Sequence, residues 1–227
     1  MTTFYRVDGA KLTYAEYWRM SPNMVAFVIA AGRKLFGFPI RFRFAIPRPD
    51  RLFVVELEEL PPSARRAMAP AIRWAEQGGL RLIFCHRLAV PEPNRIGAAA
   101  ILLDENNTSC LMILFGSHGR RRELRLAFVS QFADDTRATT TTIMKTLEPM
   151  PGVIIERYPE ATPVSLYARH GEHLERLAAA GSIPVPFRPD KLEQFIQCNE
   201  VKYVDFHASR GVFVPMTEDE LDALMER

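Results

Sequence analysis

The chain has almost no net charge: 29 basic side chains face 27 acidic ones, leaving +2 at pH 7 over 227 residues. A dedicated nucleic-acid binder carries a marked basic excess, so nucleic acid is not an expected partner. Cysteine is scarce. Cys85, Cys110 and Cys198 form an odd set with no CxxC spacing, which reads as free thiols in a reducing, cytoplasmic compartment. The first dozen residues lack the basic-then-apolar pattern of a secretory leader. Long apolar runs are missing too. "MVAFVIAA" at 24–31 is cut by Gly32-Arg33-Lys34, well short of the roughly 20 residues a spanning helix needs. No transmembrane segment is expected, although contact with a membrane surface is a separate matter. Internal repeats and low-complexity linkers are absent, and the chain reads as one α+β domain over 1–227. Within it, 1–60, 61–160 and 161–227 are natural subdivisions.

The chain also lacks the short motifs that announce chemistry. "GSHGRRRELR" at 116–125 raises the question of a phosphate loop. A Walker loop needs GxxxxGK[ST] between a strand and a helix, so that main-chain amides converge on the phosphates. Here no lysine precedes Ser or Thr, and the sequence is strand-like on both sides. An acyltransferase [RQ]xxGx[GA] turn fits no better. The stretch is expected to be a hairpin tip, with Arg120, Arg121 and Arg122 as the candidate anion-binding residues. There is no GxSxG elbow and no HExxH. Cys85 and Cys110 fall in apolar strands and Cys198 lies near Glu200, environments that disfavour a thiolate.

One constellation remains, "ARHGEHLER". His170 and His173 are three apart on a helix, close enough to share a metal ion. The helical wheel puts His170 inside the apolar arc of Leu166, Tyr167, Leu174, Leu177 and Ala178, with His173 at its margin. That is the position of a packed, hydrogen-bonded histidine, and His86 on a covered strand is read the same way. No catalytic set, metal or cofactor is assigned. If a site assembles only in three dimensions, His170, His173 and Arg122 are the residues to inspect, and a packed His170 counts against it.

What the sequence does carry is fold. Thr13 and Glu16 form a capping box, and Ser21-Pro22 restarts a helix that Gly37 ends. "IRFRFAI" (40–46) and "RLFVVELEEL" (51–60) flank a "PRPD" turn and predict a hairpin with Arg41 opposite Glu56. Pro61-Pro62-Ser63 opens a helix to about Gln77 with Ala64, Met68, Ala71, Ile72 and Ala75 on one narrow face. Apolar runs near 80–88, 96–104, 108–116, 122–132 and 135–143 predict an antiparallel meander of about five strands. Asn106-Asn107 and Asp134-Asp135 mark two of its turns. The first three strands are apolar at both parities and read as covered on both faces, whereas "TRATTTT" reads as an exposed edge. A strand at 153–158 follows, then a helix from Thr162-Pro163 to Gly181 and another near 190–199. A strand pair at 201–207 and 211–215 comes next, and Thr217 with Glu220 caps a last helix.

Charge is segregated along the chain. Residues 1–50 hold 8 basic against 3 acidic side chains, and 189–227 hold 4 against 9. Either the two ends dock, or the basic, aromatic N-terminal helices (Trp18, Arg19, Phe27, Arg33, Lys34, Phe36) suit anionic lipid. The functional expectation is a cytoplasmic, non-catalytic binding module for a protein partner or a small apolar ligand. The alternatives are an enzyme with a histidine-containing site and a peripheral membrane or anion-binding protein.

Overall fold

A computed structural model describes residues 2–21, 23–38, 45–144 and 147–226. The chain opens with a strand, β1 (Thr3–Val7), that the sequence reading passes over. The capping box then forms as expected. Thr13 Oγ1 accepts the Glu16 amide at 3.1 Å and Glu16 Oε2 accepts the Thr13 amide at 2.8 Å, starting α1 (Tyr14–Met20). Helix α2 (Met24–Leu35) is capped by Asn23 rather than by Ser21; Pro22 lies outside the described residues.

Among the described residues the expected hairpin pairing does not occur. Residues 40–44, including Arg41, lie outside the described residues. β2 (Ile46–Arg48) pairs with β1, while β3 (Phe53–Val55) pairs with a later strand of another sheet. The turn carries two prolines, Pro47 and Pro49, and Pro47 sits within β2. A residue without an N–H cannot donate to a second neighbour, which makes this segment suit a sheet edge.

The centre of the molecule follows the sequence closely. Helix α3 (Pro62–Gln77) buries Ala64, Met68, Ala71, Ile72 and Ala75, the face read from the periodicity. β4 (Arg81–Arg87), β5 (Arg95–Leu103), β6 (Cys110–His118), β7 (Arg121–Phe132) and β8 (Arg137–Thr141) form the antiparallel meander. Asn107 and Asp135 take the left-handed turn conformation, with φ of 56° and 63°. β5 is buried on both faces over Gly97–Leu103.

β8 is not an edge. β9 (Val153–Arg157) lies outside it in parallel pairing, Thr139 opposite Ile155. Thr140, Thr141 and Thr142 of "TRATTTT" are therefore internal, and their hydroxyls bond inward: Thr141 Oγ1 donates to the Leu126 carbonyl at 2.8 Å. Threonine is β-branched and suits a strand interior once its hydroxyl is satisfied.

Helix α4 (Pro163–Ala179) starts at the Thr162 cap as expected. A two-residue strand, β10 (Pro184–Val185), pairs with the end of β7. Helix α5 runs over Leu192–Ser209, so the strand expected at 201–207 is helical. Its Val, Tyr, Phe alternation mimics a strand, but Val204 and His207 share one face with Ile196 and pack inward. β11 (Phe213–Pro215) returns to pair with β1, and α6 (Glu218–Met225) ends the described chain on the expected capping box.

The result is an α+β fold. The large sheet runs β3-β4-β5-β6-β7-β8-β9, and a small sheet runs β11-β1-β2. Helix α3 and Leu166 of α4 pack on one face of the large sheet. The start of α5 packs on the other, against Ala99, Ile101 and Leu103. The two ends of the chain do meet: Arg6 pairs with Glu220 at 3.1 Å and Arg48 with Asp205 at 2.7 Å. Arg210 of the segment after α5 also pairs with the buried Glu16 at 2.9 Å.

Candidate functional site

Strand parity divides the chemistry between the two faces of the large sheet. Ser130 and Thr140 point to α4; their neighbours Val129 and Thr139 point to α5 and line a cavity of about 490 Å³. That volume suits a small-molecule ligand. The floor is Cys110, Met112, Val129, Arg137 and Thr139. The roof is α5, through Phe195, Ile196, Asn199, Glu200, Tyr203 and Val204. Ala45–Pro47 and Leu88–Val90 close the sides, with Arg95 and Met150.

Three polar side chains among these linings, Arg137, Glu200 and Tyr203, have no hydrogen-bond or ion-pair partner among the described residues, whereas Arg95 pairs with Glu92 at 3.1 Å. Burial pushes the Arg137 guanidinium down from its ordinary value. The same cause raises Glu200 to about 7 and, with the Glu16 charge, Tyr203 to about 12. An apolar chamber with a few polar groups is the usual form of a small-molecule site. A half-buried guanidinium with no anion beside it is complementary to a carboxylate or another planar anion.

One wall depends on a glycine. A Cβ on Gly97 would lie 2.7 Å from Leu88 Cβ and 2.9 Å from its Cδ1, and Leu88 lines the cavity. Gly97→Ala is expected to cost about 1–3 kcal/mol of stability by overpacking and to push Leu88 toward the cavity. Urea unfolding checks the first effect; a crystal structure with Leu88 unmoved would refute the second.

The histidines singled out from sequence do come together, but on the opposite face of the sheet. Ser130 Oγ donates to the Thr108 carbonyl at 2.7 Å, so His170 Nε2, 3.0 Å away, is the donor to Ser130. His170 Nδ1 then accepts from Thr140 Oγ1 at 3.0 Å, and Thr140 in turn accepts from His173 Nδ1 at 3.2 Å. This ordering assigns neutral tautomers from the network. His170 is also stacked on Phe128, with ring centroids 5.5 Å apart. Burial, reinforced by repulsion from His173 whenever that ring is protonated and opposed by Glu156, lowers His170 to about 3. His173 is lowered by burial, against the attraction of Glu156, 3.9 Å from its Nε2. Both side chains have their hydrogen bonds inside the fold, and neither lines the cavity.

Arg122 is not with them. It stands at the far end of β7, eight residues from Ser130 and so roughly 27 Å along the strand. Arg120, Arg121 and Arg122 form the exposed tip of the β6–β7 hairpin, where His118 faces Arg121 across a two-residue turn. Gly119, at φ of 58°, supplies the positive φ that such tight turns require. Burial raises Cys85 to about 11 and Cys110 to about 12. His86 is 1% exposed, and neither ring nitrogen has a partner among the described residues. No cluster of three or more potential metal ligands occurs among the described residues.

The sequence reading misses the cavity residues. Arg137 falls in a strand whose polar composition suggests an exposed edge, and Glu200 and Tyr203 border or fall in a segment with strand-like alternation. The available signal is compositional: a single arginine in an otherwise uncharged "ATTTT" strand. Comparison with known proteins finds no matching family model, no similar curated protein and no similar solved structure.

Proposed function

We propose that the protein is a cytoplasmic, non-catalytic binding module for a small, mostly apolar molecule that carries one acidic group. The observation that carries this reading is Arg137. Its guanidinium is partly desolvated at the floor of an apolar cavity and has no anionic partner among the described residues. A partly desolvated cation with no anion beside it gains from an anionic partner, and a ligand carboxylate would supply one while the ligand's hydrocarbon fills the space between Met112, Val129, Phe195 and Ile196. The three free thiols fit a reducing compartment.

Dodecanoate and dodecanol, compared by isothermal titration calorimetry, test the reading. The wild-type protein is expected to prefer the acid, and Arg137→Ala to lose about tenfold or more of that preference while keeping affinity for the alcohol. Equal binding of both by the wild type, or no binding of either, would reject it. Glu200 adds a pH dependence. With its pKa raised to about 7 by burial, it is neutral below pH 7 and places a second, negative charge in the cavity above it. Dodecanoate affinity should therefore fall as pH rises through 7, and Glu200→Gln should flatten that dependence. Native against denaturing mass spectrometry of the freshly purified protein would show whether a co-purified ligand leaves on denaturation.

A further inference from the structure

Helix α2 presents an apolar face to solvent. Met24, Val25, Val28, Ile29 and Leu35 are 58%, 67%, 59%, 58% and 72% exposed, and Phe36 just beyond the helix is 75% exposed. At 100° per residue all six lie within one arc of about 140°, with Gly32 among them. The opposite side of the helix, through Phe27 and Ala30, packs on the core of the small sheet. The outward face is thus held by a folded support, not by fraying. Trp18, half-exposed at its margin, rests edge-on against Phe27 with centroids 5.2 Å apart. Exposed contiguous apolar surface of this kind marks an interaction site.

Charge decides which partner fits. Residues 17–49 contain six basic side chains and no acidic one. Of these, Arg41 and Arg43 lie outside the described residues, Arg48 is engaged by Asp205, and Arg33 stands exposed at the flank of the apolar arc. Lys34 lies on the packed side of the helix, donating to the Ala10 carbonyl at 2.5 Å and lying over Tyr14 and Tyr17. Arg19 lies close enough to Arg157 for its charge, after burial, to depress that guanidinium. Two copies meeting through this face would oppose cation-rich surfaces. An interface that is both apolar and anionic answers both features at once.

We propose that α2 lies flat on an anionic lipid bilayer, its apolar face below the headgroups and Arg33 at its flank among the phosphates. No helix among the described residues is long and apolar enough to cross a membrane, and α2, at about 18 Å, serves as an interfacial anchor of the amphipathic kind. A polybasic, aromatic segment gains from both the hydrophobic contact and the surface potential of acidic lipid. The proposal does not depend on the cavity ligand, although the chain enters the cavity wall at Ala45, seven residues after Phe38.

The test is flotation with vesicles of phosphatidylcholine alone and of equal parts phosphatidylcholine and phosphatidylglycerol. The double variant Val28→Glu/Ile29→Glu changes only exposed side chains, and an unaltered thermal midpoint confirms that it folds. The wild type should float with the acidic vesicles only, release by about tenfold or more at high ionic strength, and lose flotation in the double variant. Equal flotation of the wild type and the variant overturns the proposal. So does an absence of flotation, and if the variant then also converts a dimer to a monomer in analytical ultracentrifugation, the occupant of the face is a second copy.

Discussion

Met68→Asp is expected to leave the protein unfolded, or to lower its stability by about 4 kcal/mol or more. Met68 is fully buried at the middle of α3, in the cluster formed with Ala98, Ala100, Leu111 and Ile113 of the sheet. Two costs add at that position. The thioether side chain loses its packing, which alone is worth about 2–5 kcal/mol for methionine to alanine in a core. A carboxylate then faces a sheet surface of alanine, leucine and isoleucine, with no cation in the cluster to pair with it, so it must either stay charged in an apolar medium or take up a proton. Domains are stable by only about 5–15 kcal/mol, so the loss takes most of the margin.

Two controls isolate the cause. Met68→Leu conserves volume and should cost less than about 1.5 kcal/mol. Arg73→Ala, on the exposed side of the same helix, should stay within about 0.5 kcal/mol. Urea midpoints of the three variants provide the measurement. If the Met68→Asp variant melts like the wild type, α3 packs by another face.

The reason this face can be read in advance is instructive. Helix α3 is amphipathic over four turns, and its stripe of small residues is dictated by the need to lie close to a sheet. The meander is equally legible, because its strands are joined by short turns in which Asn107 and Asp135 adopt a conformation few other residues tolerate. Where information is local, sequence suffices.

The misread elements are those whose state depends on distant partners. "IRFRFAI" has strand periodicity, but nothing local says that Ile46 will pair with Tyr5, some forty residues earlier. Residues 201–207 have both strand-like alternation and a helical face, and the helix prevails because Val204 and His207 then reach the core of the small sheet. The polar character of "TRATTTT" is plain in the sequence, but edge or interior depends on whether β9 arrives beside it. The cavity is invisible for the same reason. It lies between strands of the meander and a helix that begins about fifty residues after β8, and only that packing turns Arg137, Glu200 and Tyr203 into neighbours of one space.

Acid is expected to unfold this protein from about pH 6 downward, well above the range set by ordinary carboxylates. His86, His170 and His207 are each no more than 1% exposed, and burial lowers them from 6.5 to about 4, 3 and 4. For His207 the adjacent Arg210 reinforces burial and Glu16 opposes it; for His86 the Arg87 main chain offsets only part of it. Since the folded pKa is depressed, the unfolded chain binds more protons between the two values. The stability from keeping each ring neutral is complete above 6.5 and is lost as pH falls toward the folded pKa, about 1–3 kcal/mol for each ring. Glu16 continues the trend. Burial alone would raise it, but the Arg210 guanidinium and the Thr13 and Glu148 amides hold it at about 2, so its contribution is lost between 4.5 and 2. Glu200 acts with the opposite sign: its raised pKa contributes stability that is present below 4.5 and lost as pH rises through about 7. One carboxylate against three imidazoles leaves the net slope acid-labile. Thermal midpoints should thus change little between pH 8 and 7 and drop steeply between 6 and 4. His86→Leu supplies the discriminating variant, because its ring nitrogens make no hydrogen bond of normal geometry among the described residues, the Arg87 main chain being only a weak contact, and an apolar replacement removes the proton-linked cost. It should raise the midpoint more at pH 5 than at pH 8; an equal change at both would mean that His86 does not titrate on unfolding, and a flat wild-type profile from pH 8 to 5 would remove the histidines from the argument.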